Sequence, residues 1–118
     1  MPAEDEIMTG PVKVLNECIE LQLKKARDYQ SKFSTIKQAD YYPSGVATIL
    51  DIIHAKVLRA RSVADAMRND PDYKPNFESL EDSFKDLCNY SSFAAAYIRG
   101  EIDGQSPDRD FLNRPVKK

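Results

Sequence analysis

Apolar residues recur at steps of three and four along most of the chain, and nowhere do they alternate as in a half-buried strand. From Val12 they fall at Leu15, Ile19, Leu23 and Ala26. That spacing predicts a helix over about 11–32 with these residues on its core-facing side. Pro11 suits the first turn of such a helix, where its missing N–H costs nothing. Ser34 to Tyr42 mixes Thr, Gln and Asp with two tyrosines and runs into Pro43-Ser44-Gly45. It reads as a loop holding at most a short helical turn. Val46, Ile49, Leu50, Ile53 and Val57 mark a second helix over about 44–61, and Ser62 is placed to cap a short helix over 63–68. Asp70-Pro71 and Lys74-Pro75 then make a stiff connection.

The third helix has the strongest pattern. Leu80, Phe84, Leu87, Ser91, Ala94 and Ile98 share one face, and Gly100 is placed to end the helix. Tyr90, Phe93 and Tyr97 form a second apolar stripe about 90° away. A helix apolar on two sides is central in a bundle or part of an interface. The prediction is an all-α bundle of three long helices and a short one, completed as a homo-oligomer. The alternative is that the 63–68 helix and the C-terminal segment cover the second stripe. Residues 1–10 read as an acidic leader, 11–104 as one helical domain and 105–118 as a polar tail or strap.

Composition narrows the chemistry. The 118 residues fit one domain, and 42% hydrophobic with 31% charged residues describes a folded chain. A net charge of −2 points away from a nucleic-acid polymer as partner. One His argues against zinc and against a multi-histidine hydrolase site. No stretch approaches the ~20 apolar residues of a membrane span. The acidic start lacks the pattern of a secretory signal, so a cytoplasmic location is expected. Cys18 and Cys88 form no Cys-x-x-Cys motif and read as free, half-buried thiols.

Acidic residues are the remaining resource for chemistry. Glu17 and Glu20 lie one turn apart, a spacing that lets two carboxylates share a hard cation such as Mg²⁺ or Mn²⁺. The plainer reading is a solvated face with Glu20 paired to Lys24. On the third helix Glu78, Asp82 and Asn89 fall on one line, with Asp86 beside it. Asp82 and Asp86 repel each other unless something positive lies between them. Ser79 followed by Asp82 also spells a capping box, which accounts for Glu78, Glu81 and Asp82 but not for Asp86 or Asn89. Lys56 and Arg59, one turn apart, suit either a phosphate clamp or ion pairs with acids of a neighbouring helix. Tyr29, Tyr41 and Tyr42 suit base stacking or packing, and His54 reads as a surface residue.

Four segments together resemble a known family. Lys25-x-x-Asp28-Tyr29, Lys56-x-x-Arg59, Glu78-Ser79-x-x-Asp82 and Asp86-Leu87-x-x-Tyr90 are similar, in this order, to the nucleotide modification associated domain family of phages and bacteria. That family is itself distantly similar to the MazG-type all-α nucleoside triphosphate pyrophosphatases. The resemblance spans about residues 12–104 and implies a role in nucleotide metabolism, such as control of a deoxynucleotide pool during phage growth. The chain departs from the MazG pattern on its second acidic helix, which carries Glu78-x-x-Glu81 and Asp82-x-x-x-Asp86 instead of Glu-x-x-Asp. Gln30 also stands where the nearer family has glycine.

The first expectation is therefore magnesium-dependent hydrolysis of a nucleoside triphosphate. Glu78, Asp82 and Asp86 would hold the metal, with Glu17 or Glu20 contributing and Glu20 orienting the water. Lys25, Lys56 and Arg59 would meet the phosphates. Asp28, Tyr29, Asn89 and Tyr90 would bind the rest of the substrate. The second expectation is a pocket that binds a nucleotide or cyclic oligonucleotide without cutting it. The third is a helical adaptor that docks on a host protein through Tyr90, Phe93 and Tyr97.

Overall fold

The computed structural model describes residues 9–29, 33–75 and 78–106; the side chains of Asp28 and Tyr29 lie outside that description. The expectations for those two side chains, for most of the acidic leader and for the tail beyond residue 106 therefore fall outside the described residues. Helix α1 covers Gly10–Tyr29, a 3₁₀ turn covers Gln38–Tyr41, α2 covers Val46–Asn69 and α3 covers Leu80–Ile98. The described residues contain no strand, and the fold is all-α.

Helix α2 is longer than its sequence suggested. The cap expected at Ser62 does not form, and the helix runs without a break to Asn69. Val63 is buried one turn beyond the buried Ala60, so the apolar stripe continues through Ser62, and no Gly or Pro interrupts it. Gly45, at φ 62°, supplies the left-handed backbone that turns the chain into α2.

Helix α3 begins and ends by the devices its sequence spelled out. The Asp82 N–H donates to Ser79 Oγ at 3.0 Å, and the Ser79 N–H donates to Asp82 Oδ2 at 3.3 Å. This is a reciprocal capping box. At the other end the Gly100 N–H donates to Tyr97 O and the Glu101 N–H to Ala96 O, with Gly100 at φ 75°. The paired bonds are those of a Schellman motif. The chain then folds back, placing Ile102 in the core, and the Ala39 N–H donates to Asp103 O at 3.0 Å.

Helices α2 and α3 run antiparallel. Ile49 and Tyr97 share the core at one end, while Arg59 meets Glu78 at the other. The core consists of Ala39, Tyr42, Val46, Ile49, Tyr97 and Ile102, with Ile53, Tyr90 and Phe93 packed against it. The stripe of α3 that faces it is thus Tyr90, Phe93 and Tyr97. Of the line from Leu80 to Ile98, which had the more regular spacing, Ala94 packs against this core, while Phe84 and Ile98 are 56% and 57% exposed. The aromatic rings fill the layer against α2, where each buries more area than an aliphatic side chain would.

Helix α1 reverses its expected orientation in a similar way. Leu15, Ile19 and Leu23, expected to face the core, are 51%, 55% and 60% exposed. The helix is held through Cys18 and Gln22 instead. Glu17 meets Lys85 at 2.8 Å, Cys18 Sγ lies 3.8 Å from Lys85 O, and Gln22 reaches Asn89. These pairs advance together along both helices, so α1 lies parallel to α3. The two free cysteines, 70 positions apart in sequence, meet across this contact. Burial pushes the Cys18 thiol up, and its hydrogen bond with Cys88 pushes in the same direction. No helix among the described residues is long and apolar enough to cross a membrane.

Candidate functional site

Because α1 and α2 both pack on α3, a cleft opens between them with α3 as its floor. Its volume is about 370 Å³, within the ~300–1,000 Å³ of small-molecule sites. Helix α1 contributes Gln22, Leu23, Lys25 and Ala26, and α3 contributes Asp86, Asn89, Tyr90 and Phe93. The 3₁₀ turn and the residue after it supply Gln38, Tyr41 and Tyr42, and α2 supplies Ile52.

Four aromatic rings therefore meet three side-chain amides in one place. Tyr90 and Phe93 stand edge to face, with centroids 5.5 Å apart and planes at 88°. Tyr42 is fixed behind the cleft by a similar contact with the buried Tyr97 at 6.4 Å. Gln22 Nε2 donates to Asn89 Oδ1 at 2.8 Å and to Ser92 Oγ at 2.9 Å. Gln38 Nε2 donates to Tyr42 Oη at 3.3 Å. The amides are thereby oriented before any ligand arrives, which lowers the ordering cost of binding.

One edge of the cleft is strongly ionic. Lys56 Nζ lies 2.9 Å from Asp86 Oδ2 and 3.1 Å from Glu78 Oε1, and Arg59 Nε lies 2.9 Å from Glu78 Oε2. Burial raises the Asp86 carboxyl, but hydrogen bonds with Glu78 and Lys56 and the charges of Lys56 and Lys25 outweigh it and hold it below its ordinary value. Burial likewise lowers the Lys56 ammonium, and its bonds to Asp86 and Glu78 reverse the shift upward. Asp86 and Lys56 therefore stay charged at neutral pH.

This arrangement brings together only part of the expected residue set. Lys25, Asn89, Tyr90 and Asp86 line one cleft, and Tyr41 and Tyr42 join them. Lys56 and Arg59 are engaged by Glu78 and Asp86, the ion-pair reading of their spacing. Asp82 is engaged by its helix cap. Glu17 is drawn to Lys85, which also holds Glu81 at 3.0 Å, and the two carboxylates push the Lys85 ammonium upward. Glu20 is exposed on α1 and does not line the cleft.

The donors expected for Mg²⁺ or Mn²⁺ do not surround one point. Glu78 and Asp86 hold an ammonium between them, in the place a divalent ion would take. Among the described residues no group of three His, Cys, Asp or Glu side chains could hold a metal ion. As arranged, this set does not fit the metal.

Sequence reasoning did not single out Gln22, Gln38, Ile52 or the cleft-facing role of Phe93. An amide on a helix carries no spacing signature, and Gln22 is recognisable only once Asn89 stands opposite. Comparison of the chain with protein-family models, with curated proteins and with solved structures finds no match.

Proposed function

We propose that this chain binds a nucleotide in the cleft between α1 and α2, floored by α3, and releases it unchanged. One observation carries the reading: Tyr41, Tyr42, Tyr90 and Phe93 share a single cleft with the amides of Gln22, Gln38 and Asn89 and the ammonium of Lys25. Aromatic faces stack a base at little entropic cost, since each ring has only two side-chain torsions. Amides supply paired donors and acceptors that match a base edge or a ribose. Lys25 at the rim offers one positive charge to a phosphate, next to the ionised Asp86.

The ion-pair edge favours binding over hydrolysis. Hydrolysis through a metal would require Glu78 and Asp86 to give up Lys56 and Arg59, leaving two cations without their carboxylates. The likeness to nucleotide-handling proteins noted in the sequence agrees with the class of ligand, and the cleft's own chemistry supports it independently. A thermal-shift panel tests the reading. Nucleoside mono- and diphosphates should raise the melting temperature more than the matching nucleosides or inorganic phosphate alone. If phosphate alone matches the nucleotides, the aromatic half of the cleft plays no part and the reading fails.

A further inference from the structure

Gln22 of α1 and Asn89 of α3 meet in the lining of the cleft, and the direction of their hydrogen bond decides what a ligand finds there. An amide oxygen and an amide nitrogen are alike in size and opposite in role, so a third group has to set that direction. Ser92 is that group. Its Oγ lies 2.6 Å from the Asn89 carbonyl oxygen, which can only accept. The one hydroxyl proton is therefore engaged by the backbone, and Ser92 offers only lone pairs to Gln22.

The atom facing Ser92 at 2.9 Å must then be a donor, Gln22 Nε2. The second hydrogen of that nitrogen goes to Asn89, so the atom it meets at 2.8 Å must accept and is Oδ1. Two groups remain over, the Nδ2 hydrogens of Asn89 and the Oε1 oxygen of Gln22. Asn89 is only 6% exposed and lines the cleft. Its Nδ2 finds no acceptor among the described residues and is not shut inside the protein. A buried donor in that state loses its hydration without gaining a partner, and a bound acceptor would restore what is lost.

We propose that Asn89 determines which ligands the cleft accepts, by donating from Nδ2 to an acceptor on the bound base, a ring nitrogen or an oxo oxygen. Gln22 Oε1 accepts from a donor on the side of the base nearer α1. This inference rests on the nucleotide reading of the cleft and narrows it to an edge that turns an acceptor towards α3 and a donor towards α1. Adenine carries such a pair in N7 and its N6 amino group. An aromatic ligand without the acceptor leaves the Asn89 amide unpaired and is rejected, as polar sites reject analogues that lack their partner atom.

Asn89→Asp tests the donor without disturbing the rest of the chain of bonds. At about pH 8 the introduced carboxylate is ionised, so it still accepts from Gln22 but cannot donate. Calorimetric titration with adenosine, guanosine and their 5′-monophosphates should show affinity lowered on the order of 10-fold or more, with thermal unfolding still cooperative. The nucleosides are uncharged, so an equal loss with them separates the hydrogen bond from repulsion of the phosphate. Gln22→Glu is the second variant and leaves Asn89 itself in place. A carboxylate there draws Asn89 Nδ2 towards α1 and turns Oδ1 into the cleft, so affinity should again fall, and this reads the direction of the bond even if Asn89→Asp fails to fold. Unchanged affinity in a folded variant, or a loss confined to the monophosphates, would overturn the role of Asn89 and leave the nucleotide reading standing. No binding of any of the four by the unmodified chain would overturn both.

Discussion

Lys56 on α2 and Asp86 on α3 meet at 2.9 Å along the edge of the cleft, and Glu78 closes on the same ammonium from the N-terminal end of α3. This contact fixes the long α2–α3 pair and also occupies the carboxylates that a metal would need. Removing the cation should therefore cost stability. Lys56→Met leaves Glu78 and Asp86 facing each other, and with all three side chains partly exposed the expected loss is about 1–3 kcal/mol. Urea unfolding measures it, and adding Asp86→Asn should recover part of the loss.

The same cluster sets the response to pH. Asp86 is held below its ordinary value of 3.8, so its contribution is present above that value and is lost as pH falls through the lower folded value. Lys56 is held above 10.5, so its contribution is complete below that value and is lost as pH rises through the higher folded value. The urea midpoint should accordingly decline below about pH 4 and again above about pH 10.5. In Asp86→Asn the acid decline should be shallower.

Asp82 and Tyr90 separate capping from binding. Asp82→Ala removes half of a capping box and should cost about 0.5–2 kcal/mol of stability without changing nucleotide affinity. Tyr90→Ala should weaken nucleotide binding by about 1–3 kcal/mol, the usual worth of a stacked base. Calorimetric titration of both variants distinguishes the two roles. A loss of affinity in Asp82→Ala with intact helicity would return that carboxylate to the ligand site.

Gly104 holds the segment after α3 against the loop before the 3₁₀ turn. Its backbone is left-handed at φ 82°, and an added Cβ would overlap the Lys37 side chain. Gly104→Ala should destabilise the fold by about 1–3 kcal/mol, combining the backbone penalty with that close approach. Thermal unfolding reads it. Gly10→Ala, at a position with open space around it, is the matched control.

Periodicity and end signals were enough to foresee three helices, the Ser79 cap and the Gly100 stop, because each depends on nearest neighbours along the chain. Which stripe of a helix turns inward depends on what stands opposite. The regular Leu80–Ile98 line yielded to Tyr90, Phe93 and Tyr97 because Ile49 and Val46 face the rings. The α1 stripe stayed outside because Cys18 and Gln22 found partners on α3. In the cleft, Lys25, Asn89 and Tyr90 were foreseeable as charged or aromatic groups near motifs. The engagement of Glu78 and Asp86 was not, since the spacing that suits a metal also suits an ammonium.

Incubation of the chain with a panel of nucleotides, with and without Mg²⁺ or Mn²⁺, bears most directly on the central claim. Each mixture is titrated calorimetrically and then resolved by chromatography. At least one nucleotide should bind saturably and be recovered intact, with affinity lowered by Lys25→Ala and Tyr90→Ala. Metal-dependent conversion of the nucleotide, or no binding across the panel, would contradict the account.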